Sequence, residues 1–313
     1  MSSIAGLSLT AVRRQFDRRA VAPAASDFLH REIERRMLER LALVRAVPKR
    51  VLEVGCGAGA GLAALAQHYP GASRTGVDLS PANLARAAAR FAPPSQNPTA
   101  RAAVPWWRRW TAEAVPEPAR DARDESERAA PDLVLADTQC LPFAGSQFDL
   151  LWSNLMLHWS PDPGRVFAEW SRVLRAEGLL MFSAYGVDSL RELRANGWLT
   201  QRFPDLHDLG DALVRTGFAA PVMDMEQLQL CWSDARRALA DLRALGGDAR
   251  EDRRPGLRGR ATQRAILGAL ERARDREGQI SVTVEIVYGH AWCSPASKLP
   301  PGAAPVQWRA RAL

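Results

Sequence analysis

Four glycines at alternate positions, Gly55, Gly57, Gly59 and Gly61, mark the stretch VLEVGCGAGAG. They follow a short apolar run and precede Leu62-Ala63-Ala64-Leu65-Ala66. A loop of this kind between a strand and a helix lets a ligand approach the backbone closely, near a helix N-terminus. Carboxylates stand around it. Glu53 lies two residues before the first glycine. Asp78 ends the run Thr75-Gly76-Val77-Asp78, where a carboxylate can accept both hydroxyls of a ribose. Asp137 ends Leu133-Val134-Leu135-Ala136-Asp137 and leads into Leu141-Pro142-Phe143. Read loosely, Gly55, Gly57 and Ala60 also fit a dinucleotide fingerprint. On these residues alone the kind of ligand stays open.

A second stretch with chemical character is DLLWSNLMLHWSPDP, residues 149–163. It begins as a buried strand, breaks at Ser153-Asn154, and reaches His158-Trp159 before two prolines. Ligands in open α/β sheets bind beyond the carboxyl ends of the strands. That makes Asn154, His158 and Trp159 candidates, together with Tyr185 after the following strand and Arg191 and Arg194 on the next helix. No catalytic dyad is visible, and no catalytic residue is assigned. Cys56, Cys140, Cys231 and Cys293 are far apart with no CxxC pair, which reads as reduced thiols. The five histidines show no i,i+4 spacing, so no metal site is expected.

The elements that must carry these residues follow from patterning. Residues 27–45 have helical spacing behind Ser26 or Asp27 as cap. Strands are expected at 51–54, 75–78, 133–137, 148–152 and 179–183, with helices at 62–66, 80–90 and 161–174 between them. Short apolar strands alternating with helices predict a mainly parallel sheet covered on both faces, a Rossmann-like α/β fold. Beyond Ser189 helices dominate, with a late strand at 283–288 and a helical accessory region. Residues 92–131, rich in proline and carrying Trp106-Trp107-Arg108-Arg109-Trp110, read as a long surface insertion, partly disordered. The resulting division is 1–48 as an N-terminal helical segment, 49–185 as the core, 186–292 as the accessory region and 293–313 as a tail.

The chain has 313 residues, 47% hydrophobic and 25% charged, enough for a full globular core. No apolar run approaches the roughly 18 residues of a membrane span, and the N-terminus lacks a secretory apolar region. A cytoplasmic protein is expected. The net charge is +7, carried almost wholly by arginine, since Lys49 and Lys298 are the only lysines. A high-GC genome accounts for that, or else an acidic partner. No nucleic-acid-binding motif is visible, and nothing sets the oligomeric state.

Glu53, the glycine loop, Asp78 and Asp137 in this order resemble the class I S-adenosylmethionine-dependent methyltransferases. That resemblance implies S-adenosyl-L-methionine as cofactor. It implies that Gly55 and Gly57 pass its methionine part, that Asp78 holds the ribose and that Leu79 packs on the adenine. Asp137 with Thr138 would reach the adenine edge, and Ser153 would meet the methionine end. Further segments, LPFAGSQFDLLWSNLMLHW, FPDLHDLGDALVRTGF, LRALGG and VEIVYGHAW, are similar to the malonyl-acyl-carrier-protein O-methyltransferase family of biotin synthesis. The similarity covers most of the chain outside 92–131 and the tail after Trp292. Relatives often carry Tyr-Asp shortly after Phe-Asp-Arg. Here Phe16-Asp17-Arg18 is present, but Pro23-Ala24 occupies that place.

The resemblance implies methylation of the free carboxylate of malonyl-acyl carrier protein. That carboxylate has a pKa near ~4 and needs no general base at neutral pH. Asn154, His158, Trp159, Tyr185 and Arg191 are the expected acceptor-side residues. The acidic carrier protein suits the positive charge, with the arginine-rich helix 31–40 and the 106–110 cluster as candidate docking surfaces. The alternatives are a methyltransferase of another small carboxylate, or a hydroxylase or assembly factor of the related complex I branch. A nucleic-acid methyltransferase lacks its Asn-Pro-Pro-Tyr or Pro-Cys loop here.

Overall fold

The computed structural model describes residues 7–20, 27–92, 130–195, 203–245 and 260–294. Its first half runs α1 (Leu9–Arg19), α2 (Phe28–Leu41), β1 (Arg50–Val54), α3 (Ala60–His68), β2 (Ser73–Asp78) and α4 (Pro81–Phe91). Then come β3 (Asp132–Leu135), β4 (Phe148–Ser153), a 3-10 turn (Leu157–Trp159), α5 (Pro163–Val173) and β5 (Leu174–Tyr185). The rest is α6 (Arg191–Ala195), α7 (Leu206–Arg215), β6 (Phe218–Trp232), α8 (Ala235–Leu245), α9 (Arg260–Arg272) and β7 (Ile280–Cys293).

β4 is buried at every position, as a central strand with helices on both faces must be. Leu150 and Trp152 enter one core and Leu151 the other, the two-residue alternation of a strand. The described strands form one seven-stranded sheet in the order β3-β2-β1-β4-β5-β7-β6. β1 to β5 pair in parallel, and β7 is antiparallel to both β5 and β6. From β1 the order runs outward through β2 and β3 on one side and through β4 and β5 on the other. The C-terminal ends of β1 and β4 therefore flank the switch point of the sheet, where a crevice must open.

On one face α2 packs Leu29, Ile33, Met37 and Leu41 against Val51, Leu150, Trp152 and Met181. On the other, Val166, Phe167, Trp170 and Val173 of α5 join Leu209 and Leu213 of α7 over Leu151, Leu180 and Phe182. The polar face of α2 is also tied down. Arg36 pairs with Glu32 and Glu226, and Arg40 pairs with Asp224 at 2.8 Å while lying 3.8 Å over the Tyr288 ring. Arg35 pairs with Glu32 and Glu39. The arginines at 35, 36 and 40 thus pair with carboxylates of α2 itself and of β6.

Three other expectations change. The strand expected at 179–183 starts at Leu174, directly from the end of α5. Residues 186–292 contribute helices, but also two long strands to the main sheet where one was expected. β6 escaped notice because it is an edge strand with alternating half-burial, its inward positions including Leu228, Leu230 and Trp232. It also carries Pro221 beside a register shift between Ala219 and Val222, the place where an edge strand tolerates proline. α1 is a separate cavity-side helix capped by Ser8, whose side chain accepts from the Ala11 N–H. The 106–110 cluster and Pro23-Ala24 lie outside the described residues. Among the described residues no helix is long and apolar enough to cross a membrane.

Candidate functional site

A cavity of about 400 Å³ opens at the C-terminal ends of β1, β2 and β4. Its floor is the glycine loop. Gly55, Gly57 and Gly59 all have positive φ (80°, 52° and 78°), a backbone region that L-residues with a Cβ rarely adopt. The Gly55 and Cys56 N–H groups both donate to the Val77 carbonyl, at 2.8 and 3.0 Å, which clamps the loop to β2. Gly57 lines the cavity, and a Cβ built there would meet nothing within 4 Å. The loop therefore presents bare backbone to open space.

Asp78 organises this floor. One carboxylate oxygen accepts the Gly57 N–H at 2.9 Å, and the other accepts the Ser80 N–H at 2.8 Å and an Asn83 amide hydrogen at 3.4 Å. Burial pushes its pKa up, and the Ser80 and Gly57 bonds pull it back. Leu79 follows on the cavity wall and packs in a small apolar cluster with Leu7, Val12, Phe16 and Trp159. Asp137 and Thr138 line the opposite wall. Asp137 accepts the Gln139 N–H at 2.9 Å, and the Thr138 hydroxyl accepts the Trp170 indole N–H at 3.0 Å, tying the β3 loop to α5.

Glu53 is buried at the end of β1 and does not stand alone. A Cβ on Gly61 would fall 2.2 Å from one Glu53 oxygen and 2.6 Å from a Glu34 oxygen. The two carboxyl groups converge above that glycine. Burial pushes the Glu34 pKa up to about 7, and burial, with the nearby Glu34 and Asp78 charges, raises Glu53 well above the ordinary range. At Glu34 the folded state therefore keeps a proton that the unfolded chain has lost between about pH 4.5 and about pH 7, and this group's contribution to stability falls as pH rises through that window, opposite in sign to that of the depressed His30. Glu34→Gln is expected to flatten this fall, read as thermal midpoints of the ligand-free protein across that pH range. An unchanged slope would remove Glu34 as the source of this contribution.

The far wall holds Arg19, Asp27, His30, Asn154 and Trp159. Asn154 reaches the cavity, but its amide is committed to the frame. Its Nδ2 donates to the His30 carbonyl at 2.9 Å, and its Oδ1 accepts the Ser183 hydroxyl at 2.9 Å. Trp159 packs edge-on against Phe16 at 5.2 Å between ring centres. The structure does not bring Ser153 to the cavity: it is fully buried and its hydroxyl donates to the Val54 carbonyl at 3.0 Å within the sheet. His158 and Tyr185 sit behind the wall, with ring centres 4.4 Å apart and Phe203 against both. Burial, with His30 and Arg19 nearby, holds the His158 pKa well below the ordinary histidine value, so its ring is neutral. Arg191 is a surface residue about half exposed, facing Asp188 and Glu192, and does not line the cavity.

Sequence reasoning missed Arg19, His30, Glu34 and Met156, all of which line the cavity. A signal existed for two of them. His30 and Glu34 are i,i+4 on α2, one step round from the buried stripe Leu29-Ile33-Met37-Leu41. Arg19 had none, because α1 was not resolved from the N-terminal segment. Asp17 joins this helix to the site by accepting the Ser80 hydroxyl at 2.6 Å.

Known proteins fit this geometry. A methyltransferase-domain family matches residues 26–220. The malonyl-acyl-carrier-protein O-methyltransferase of Methylovorus sp. (strain MP688) is 40% identical over 309 residues, 96% of this chain and 95% of that protein. The chain belongs to that family. The family member from Laribacter hongkongensis (strain HLHK9) is likewise 40% identical, over 92% of this chain and 90% of its own length. Among solved structures, the YcgJ protein of Bacillus subtilis superposes with a TM-score of 0.55 at 14% identity, covering 83% of this chain and 98% of its own. That likeness shows a shared fold. The methyltransferase family accounts for a glycine floor and a buried Asp78 in one cavity, and S-adenosyl-L-methionine is its cofactor.

Proposed function

We propose that this chain transfers a methyl group from S-adenosyl-L-methionine to the free carboxylate of malonyl-acyl carrier protein, an early step of biotin synthesis. The observation that carries the reading is 40% identity over nearly the whole chain to a relative of that name. The cavity supports it, because its residues fit the cofactor. Bare backbone at Gly57, a buried Asp78 and apolar Leu79 suit a ribose and an adenine. The Glu53–Glu34 pair suits the amino group of the methionine part, and Asp137 and Thr138 on the opposite wall suit the adenine edge. When bound, the cofactor supplies an electrophilic methyl group on a sulfonium sulfur.

The protein's own share is binding, orientation and exclusion of water. An acceptor carboxylate with a pKa near ~4 is ionised at neutral pH, so no residue has to remove a proton. This agrees with the far wall, where burial and neighbouring charge keep both His30 and His158 neutral. Leu9, Val12 and Phe16 of α1 line the cavity with Trp159. They form an apolar wall that would strip water from the reacting groups and hold them in line. Expression of this chain is expected to restore growth without biotin to a bacterium lacking its malonyl methylation step. No rescue by well-expressed protein would favour another small carboxylate as acceptor.

A further inference from the structure

The far wall and the layer behind it contain buried polar atoms with no hydrogen-bond partner among the described residues. Arg19 Nη1, His30 Nδ1 and Tyr185 Oη are each buried with no hydrogen-bond partner among the described residues. They belong to one cluster. Arg19 acts electrostatically on Tyr185 and on His30, and both Arg19 and His30 line the cavity. Native folds rarely leave such atoms unpaired without a ligand to meet them.

The surroundings define the ligand's charge. The Arg19 guanidinium lies 5.3 Å from the centre of the Phe16 ring, at the C-terminal end of α1, where the helix dipole favours a cation. Asp27, on the same wall, supports the positive charge electrostatically. The His30 and His158 rings are neutral, so neither competes for an anion as a second cation. Arg31 and Arg90 also line the cavity, but they are exposed, and Arg90 donates to the Ala58 carbonyl. Arg86 lines the cavity too and is half-buried, but the cavity arginine with a fully buried donor atom that has no partner among the described residues is Arg19.

We propose that Arg19, with His30 beside it and Tyr185 behind it, is the subsite that binds the acceptor's ionised carboxylate and separates acid from methyl ester. This rests on the reading of the site as a carboxyl methyltransferase. One free Nη engages one carboxylate oxygen and leaves the other to the methyl carbon. The new O–CH3 bond forms as the S–CH3 bond breaks, with its electron pair kept on sulfur. The negative carboxylate and the positive sulfonium both become neutral, and no proton moves. The product ester has lost the charge that Arg19 holds, so the same contact that binds the acid releases the ester.

The test is a calorimetric titration of malonyl-pantetheine, and separately of its methyl ester, into full-length protein saturated with S-adenosylhomocysteine. The wild type is expected to bind the acid at least about tenfold tighter than the ester, the scale of one charge-assisted contact. Arg19→Met is expected to erase that preference while leaving S-adenosylhomocysteine affinity within about twofold, and Arg19→Lys to restore part of it. Equal binding of the acid by wild type and Arg19→Met overturns the subsite, whether or not turnover is seen. Charge-dependent binding by the wild type without methyl transfer to malonyl-acyl carrier protein leaves the Arg19 subsite standing and overturns the acceptor assignment instead.

Discussion

Replacing Asp78 with alanine is expected to weaken S-adenosylhomocysteine binding by at least about 100-fold, since hydrogen bonds to a charged group contribute ~1.5–3 kcal/mol each and 1.4 kcal/mol is tenfold. Two losses combine. The carboxylate that would accept the ribose hydroxyls disappears. The Gly57 and Ser80 N–H groups, now held at 2.9 and 2.8 Å, lose their acceptor, so the glycine floor and the start of α4 lose their common anchor. Asp78→Asn keeps one acceptor oxygen and is expected to fall between. Calorimetric titration measures the affinity, and circular dichroism checks that the sheet is intact. An affinity within about threefold of wild type, less than 1 kcal/mol, would remove Asp78 from the cofactor site.

Gly55→Ala is expected to damage both the fold and the site. Gly55 has a φ of 80°, and an alanine Cβ would lie 2.6 Å from Met156 Cγ and 2.7 Å from its Cβ. Left-handed backbone costs ~1–2 kcal/mol for a residue with a Cβ, and overpacking a filled site costs ~1–3 kcal/mol more. A destabilisation of about 2–5 kcal/mol follows from those two ranges, read by urea unfolding. Met156 belongs to the loop after β4, so the clash pushes apart the two loops that flank the switch point. Gly57→Ala is the control. It has positive φ but no neighbour within 4 Å, so it is expected to cost only the backbone strain while its methyl group enters the ligand's space. If Gly55→Ala were as stable as Gly57→Ala, the close packing of the two loops would be wrong.

How much of this was legible in the sequence follows from what each residue's neighbours are. The glycine loop, Glu53, Asp78, Leu79, Asp137 and Thr138 sit in local patterns, one strand end after another. The structure places all of them on the cavity. The acceptor side was less legible because its residues come from distant segments. Ser153 looked functional because it is a hydroxyl at a strand end, yet its bond to Val54 joins two neighbouring strands. Arg191 follows β5 in sequence but faces outward beside Asp188. His30 and Glu34 were hidden in an amphipathic helix whose apolar stripe drew the attention. β6 was hidden by its half-exposed alternation, which carries less signal than the fully buried β4.

The central claim is transfer of a methyl group to an acceptor carboxylate, and intact-protein mass spectrometry tests it directly. Purified protein is incubated with S-adenosyl-L-methionine and malonyl-acyl carrier protein, with acetyl-acyl carrier protein as the acceptor lacking a carboxylate. The expected result is a gain of one methylene in mass on the malonyl carrier alone, matched by S-adenosylhomocysteine release and reversed by mild ester hydrolysis. Bound cofactor with no mass gain on the malonyl carrier, or an equal gain on the acetyl carrier, would contradict the account.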